Sequence, residues 1–176
     1  MNMDNWMERV IYGPKKPFPL LSYPCVQYLY VTVKELVCSS TYQAMGMKMI
    51  ADNFDMLAST AYMDLSVEAE AFGAFTVYGA DEVPTIIGKL ISTEEEADAL
   101  QVPEVGAGRT GTCIEAIHKA LTVINDRPVF AGCIGPFSLA GRLLNVNDIM
   151  VDCYEEPEMV HKVLEKATAF IISYLK

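Results

Sequence analysis

The chain has 176 residues, 52% hydrophobic and 20% charged, and its 23 acidic side chains against 13 basic ones give a formal net charge of −10. That length and apolar content fit one globular domain and exclude a disordered chain, while an acidic chain with no basic patch disfavours nucleic acid as a partner. No apolar stretch reaches the roughly 20 residues of a bilayer crossing, and MNMDNWMERVIYGPKK lacks a signal peptide's apolar centre, so a cytoplasmic protein with no membrane partner is expected.

In chain order, residues 1–16 form an arm or first helix around Trp6 to Ile11, closed by Gly13-Pro14. Phe18 to Tyr23, between Pro17 and Pro24, is predicted as a short buried strand followed by a helix. A helix is predicted over Tyr42 to Phe54, where Ala44, Met45, Met47, Met49 and Ile50 mix with Lys48 and Asp52 and where Ser39, Ser40 or Thr41 can cap the start. Met56 to Tyr62 is the next strand. The alanines and glutamates of Met63 to Phe72 then favour a helix with Gly73 as its stop.

Phe75 to Tyr78 is a short strand, and Thr93-Glu94-Glu95-Glu96 is a capped, acidic helix start. After a loop over Pro103 to Gly111, a helix from Thr112 to about Ile124 places Ile114, Ile117, Leu121 and Ile124 on one face. Val129 to Ile134 is an apolar strand ended by Gly135-Pro136, and Phe137 to Leu144 is helical. The last helix starts near Pro157, with an apolar stripe of Val160, Val163, Leu164, Ala167, Phe170, Ile171, Tyr174 and Leu175. Strands alternating with helices predict an α/β fold with parallel strands covered by helices. A complete (β/α)8 barrel takes about 250 residues, more than this chain has.

Ligands of parallel α/β folds bind at the carboxyl ends of strands. Asp64, Ser66, Glu68 and Glu70 follow one such strand, and Gly135, Ser138 and Arg142 follow another. Asp64 can hold a cationic or hydrogen-bond-donating group, and the planar fork of Arg142 suits a carboxylate. The competing structural role is that Asp64 or Ser66 caps the helix, Glu68 and Glu70 offset its dipole, and Arg142 is solvated. Gly106 to Gly111 matches GxGxxG, yet Gln101-Val102-Pro103-Glu104-Val105 is a poor strand, so the spacing reads as a flexible loop before a helix and not as a dinucleotide site. His118 and His161 have no Cys, Asp or Glu at metal spacing, and the five cysteines, Cys25, Cys38, Cys113, Cys133 and Cys153, form no CxxC, so reduced thiols and no local metal site are expected.

Met63-Asp64-Leu65-Ser66-Val67-Glu68-Ala69-Glu70-Ala71-Phe72-Gly73 resembles the (S/T)VEAEAxG segment of the methylcobalamin:coenzyme M methyltransferases, within the uroporphyrinogen decarboxylase superfamily. Gly135-Pro136-Phe137-Ser138-Leu139-Ala140 resembles that family's GPF(S/T)LA strand end, and Asp152 to His161 resembles its PE-headed helix. Gly108-Arg109 and Glu115-Ala116-Ile117 fit the loop and helix between the two motifs.

The resemblance implies a partial (β/α)8 TIM barrel: residues 17–176 as its N-terminal half, about four βα units, behind the arm of residues 1–16. By their place after the two strands, Asp64, Glu68, Ser138 and Arg142 are expected as substrate-binding residues, with no catalytic residue assigned. In the decarboxylase branch an aspartate at the position of Asp64 organises pyrrole nitrogens. The arginine-rich segment of that branch has no counterpart in Leu20 to Lys34, and Arg142 stands where it has a tyrosine, which speaks against a tetrapyrrole decarboxylase. In the methyltransferase branch a zinc-bound thiolate attacks the methyl group of a methylated corrinoid. Its His-x-Cys pair and later cysteine belong to the C-terminal half.

The expectation is therefore part of a corrinoid-dependent methyltransferase that moves a methyl group from a corrinoid such as methylcobalamin to a thiol or folate acceptor. Zinc would lie in the missing half, and the chain would be inactive alone. The alternative is a non-catalytic, self-associating half-barrel, because a half-barrel exposes sheet edges and an apolar face; a homo-oligomer or a complementary C-terminal half is the expected partner, beside a corrinoid or tetrapyrrole-like ligand.

Overall fold

The computed structural model describes residues 2–20 and 22–176. In chain order the elements are α1 (Met3–Tyr12), α2 (Cys25–Leu29), α3 (Val33–Val37), α4 (Ser40–Asn53), β1 (Ser59–Thr60), α5 (Val67–Ala71), β2 (Thr76–Val77) and β3 (Thr85–Ile86). They continue with α6 (Glu94–Ala99), α7 (Thr110–Val123), β4 (Val129–Phe130), α8 (Pro136–Leu144), α9 (Asp148–Glu155) and α10 (Pro157–Tyr174). The chain divides into two compact units, Met1–Met63 with Cys113–Gly132, and Asp64–Thr112 with Cys133–Lys176.

In the first unit β1 and β4 pair in parallel, with Ser59 opposite Val129 and Thr60 opposite Phe130. A parallel pair needs a long crossover, and the predicted alternation of strands and helices supplies one. Ser39 caps α4 by accepting from the Tyr42 N–H at 3.3 Å. The buried face of α4 puts Ala44, Met47 and Ala51 against Ala120 and Ile124, while Cys25, Leu36, Ile50 and Met56 form a second cluster. α1 buries no residue; Trp6 ties it down by donating Nε1–H to the Leu57 carbonyl at 3.2 Å and by meeting Phe130 edge-on, ring centroids 5.6 Å apart.

The predicted strand Phe18 to Tyr23 differs from what is found. Leu21 lies outside the described residues, as does Met1, and the described neighbours of Leu21 carry no strand. Pro19, the second residue of that run, removes a ladder donor. The segment is held by Leu57 N–H donating to the Pro17 carbonyl at 2.9 Å and Ser22 Oγ donating to the Thr60 carbonyl at 3.1 Å.

The second unit is built on α8 and α10. Val163, Ala167 and Phe170 of α10 and Leu139, Ala140 and Leu143 of α8 are fully buried in one cluster with Ala69, Phe72 and Ala97. Phe170 meets Phe72 edge-on at 5.4 Å and stacks on Tyr174 at 5.7 Å. Most of the predicted α10 stripe is buried, but Leu175 is 65% exposed. The Phe75 to Tyr78 run does not join a parallel sheet: β2 pairs antiparallel with β3, Thr76 opposite Ile86 and Val77 opposite Thr85. Only seven residues separate the paired segments, which suffices for a hairpin and not for a crossover. α9 was not expected from the sequence. Among the described residues no helix is long and apolar enough to cross a membrane.

Candidate functional site

The second unit gathers its buried charges around the short helix α5. Ahead of that helix Asp64 folds onto its own chain: its Oδ1 accepts from the Ser66 N–H at 2.9 Å and from Ser66 Oγ at 2.6 Å. This Asx-type turn consumes Asp64 to Ser66, so the helix predicted from Met63 starts only at Val67. At the other end the Gly73 N–H bonds to the Glu70 carbonyl and the Ala74 N–H to the Ala69 carbonyl, the two bonds of a Schellman stop, with Gly73 at φ +96°. α5 is thereby fixed at both ends, with Glu68 buried and Glu70 half-buried.

The loop from Pro103 to Arg109 closes over this helix. Gly108 sits at φ +54°, a left-handed turn that glycine adopts without strain, and its backbone lies against Ala71 of α5. Thr110 Oγ1 accepts from the Gly106 N–H at 3.2 Å and donates to the Ala107 carbonyl at 2.5 Å, which ties the loop to the start of α7. The next side chain inward is Arg109, only 6% exposed. Its Nη1 donates to Asp64 Oδ2, its Nη2 to Ser66 Oγ at 2.7 Å, and its Nε to Glu70 Oε2 at 2.6 Å. Tyr78 completes the cage: its hydroxyl donates to Glu70 Oε2 at 2.6 Å and its ring lies 5.0 Å from the guanidinium carbon.

These contacts shift the protonation equilibria. Burial works against the Arg109 charge, but Asp64 and Glu70 outweigh it and hold the guanidinium protonated well above its ordinary range. Burial, then the bond to Glu70, pushes the Tyr78 phenol up to about 12. Glu68 lies beside this cage without sharing its hydrogen bonds. It is 3% exposed, its Oε1 accepts the Ile134 N–H at 3.0 Å, and burial raises its carboxyl above the ordinary glutamate range. Burial and then the nearby Glu68 raise the Cys133 thiol.

With this geometry in place the chain can be set against known proteins. The uroporphyrinogen decarboxylase (URO-D) family model matches residues 29–176. The chain belongs to the URO-D family. Uroporphyrinogen decarboxylases from Myxococcus xanthus and Tolumonas auensis are 30% identical over 126 residues and 26% identical over 148. Those matches cover 68% and 80% of this chain, but only 35% and 39% of the relatives, so the chain spans well under half their length. Among solved structures a methyltransferase from Methanosarcina mazei superposes with a TM-score of 0.81 at 20% identity, covering 96% of this chain and 53% of that one. At that identity the likeness shows a shared fold.

Within this URO-D chain the four residues singled out from sequence fall in different settings. Asp64 and Glu68 are buried at α5, Ser138 is exposed in the first turn of α8, and Arg142 is half-buried in its last turn. Arg142 makes no ion pair among the described residues, in contrast to Arg109. Sequence reasoning missed Arg109 and Tyr78 as partners of α5. The available signal was the glycine spacing before Arg109, which marks a turn that brings the arginine inward and not a phosphate cradle.

The described residues do not suit a zinc site: no three His, Cys, Asp or Glu side chains among them are placed to hold a metal ion, and His118 and His161 are both exposed.

Proposed function

We propose that this chain is the corrinoid-binding part of a URO-D family methyltransferase, a cytoplasmic enzyme that moves a methyl group from a methylated corrinoid to a thiol or folate acceptor. The observation that carries this reading is the 0.81 superposition on the methyltransferase over 96% of the chain, together with the paired sequence motifs at Asp64 to Gly73 and Gly135 to Ala140. On this reading Ser138 and Arg142 meet the ligand, Asp64 fixes Arg109 and the loop behind it, and Glu68 holds the backbone at Ile134 ahead of α8.

The decarboxylase reading asks Asp64 to turn to pyrrole nitrogens. Here Asp64 is 8% exposed and both its oxygens are engaged, one by Ser66 and the other by Arg109. Freeing the carboxylate would leave a buried guanidinium short of its counter-ion, a costly rearrangement. That favours the methyltransferase reading over tetrapyrrole decarboxylation.

The test is an absorption titration of the purified chain with methylcobalamin. Saturable binding is expected, weakened about tenfold in Arg142→Ala by loss of a charged hydrogen bond. An unchanged corrinoid spectrum and no retention on dialysis would overturn the reading and leave the self-associating module as the alternative.

A further inference from the structure

We propose that Glu68 works as a neutral carboxylic acid whose free oxygen donates a hydrogen bond to a carbonyl oxygen of the ligand, an amide and not a carboxylate. The ligand part of this rests on the corrinoid reading; the protonation of Glu68 does not.

The charge balance around α5 carries the first half. Three carboxyl groups, Asp64, Glu68 and Glu70, share one guanidinium, and Arg109 spends Nη1, Nη2 and Nε on Asp64, Ser66 and Glu70. No hydrogen bond is left for Glu68, which Arg109 influences only through space and less than burial or Asp64 does. Its own helix turn contributes the like charge of Asp64, and the segment ahead of α8 contributes the Cys133 thiol. The only charged residue of α8 is Arg142, which makes no ion pair with it. A carboxyl that is 97% removed from solvent without a paired cation takes up a proton, because an isolated buried charge costs several kcal/mol. Burial accordingly holds Glu68 above the ordinary glutamate range.

Hydrogen-bond accounting carries the second half. Oε1 accepts from the Ile134 N–H at 3.0 Å and no other described residue bonds to Oε2, so the acid proton belongs on Oε2. The residues that follow Ile134, Gly135 to Ser138, are all exposed, so the backbone that Glu68 holds leads straight into an open surface at the start of α8. A spare O–H beside an excess of carboxylates receives a neutral acceptor and repels an anion. The amide side chains of a corrinoid meet that requirement, and the carboxylates of a porphyrinogen do not.

The experiment compares wild type, Glu68→Gln and Glu68→Ala. Gln keeps an acceptor for Ile134 and a donor for the ligand, so it copies the protonated acid. Infrared spectra of wild type without ligand at about pH 7 are expected to show a protonated-carboxyl band that E68Q lacks. In equilibrium dialysis with methylcobalamin, E68Q should bind within a factor of about two of wild type and without pH dependence, while E68A binds about tenfold more weakly. Wild-type binding should weaken as rising pH ionises Glu68. Absence of the acid band, or E68Q binding as weakly as E68A, would overturn the proposal. The band with no cobalamin binding by wild type at any pH would overturn the corrinoid reading and the ligand half, and would uphold the neutral acid.

Discussion

Arg109 and Asp64, 45 residues apart in the chain, form a buried ion pair whose side chains are 7% and 4% exposed. With Ser66, Glu70 and Tyr78 it joins the Pro103 to Arg109 loop to both sides of α5. Replacing Arg109 by Met should cost about 3–5 kcal/mol, because Asp64 then stays buried without its counter-ion. Arg109→Lys should lose less, since it keeps the charge but not the fork that reaches three partners. Urea unfolding of the three proteins measures this, and a loss under about 1 kcal/mol in R109M would show that the pair holds nothing together.

Gly108 is predicted to act through the same pair. Alanine at φ +54° costs about 1–2 kcal/mol in the left-handed region and strains the turn that delivers Arg109. G108A should therefore be destabilised, and its effect should not add to that of R109M, with a coupling of about 0.5–3 kcal/mol in a double-mutant cycle. Additive losses would separate the turn from the ion pair.

Glu68 sets a slope of stability with pH. Its folded carboxyl titrates above the ordinary 4.5, so as pH rises past that value the unfolded chain ionises Glu68 while the folded chain keeps the proton. Stability is then lost with rising pH until the folded group titrates as well. E68Q lacks this slope. Denaturant midpoints across acid to alkaline pH should show E68Q gaining on wild type as pH rises; a constant difference would count against the raised titration.

Phe170 is the centre of the second unit's core, wholly buried between Phe72 and Tyr174. Phe170→Ala should cost about 3–5 kcal/mol by transfer and cavity terms together. Calorimetry of that variant beside Leu175→Ala, a change at a 65% exposed position, should show a large fall in Tm for the first and almost none for the second.

Much of this architecture could be read from the residues. α4, α7 and α10 form where their residues predict helices, although α7 turns Ala116 and Ala120 inward and leaves Leu121 of its predicted face 53% exposed, and Thr93 caps α6 as its position before three glutamates predicts, accepting from the Glu96 N–H at 3.2 Å. α9 escaped because its apolar residues do not mark its buried side: Ile149 is its one buried residue, while Met150, Val151 and Tyr154 are exposed. β3 escaped because two residues between Pro84 and Gly88 are too short to show a period. At the site Asp64 and Glu68 stood out by their place after a strand. The role of Asp64 did not, because Arg109 reaches it through a backbone turn, and spacing along a chain does not say where a turn delivers its next side chain.

The claim that matters most is that this URO-D family chain receives a corrinoid and not a porphyrinogen. Side-by-side titration of the wild-type chain with methylcobalamin and with uroporphyrinogen, followed by equilibrium dialysis, tests it most directly. Saturable retention of methylcobalamin with no retention of uroporphyrinogen is the predicted result. Retention of uroporphyrinogen alone would contradict the account and return Asp64 to the decarboxylase role.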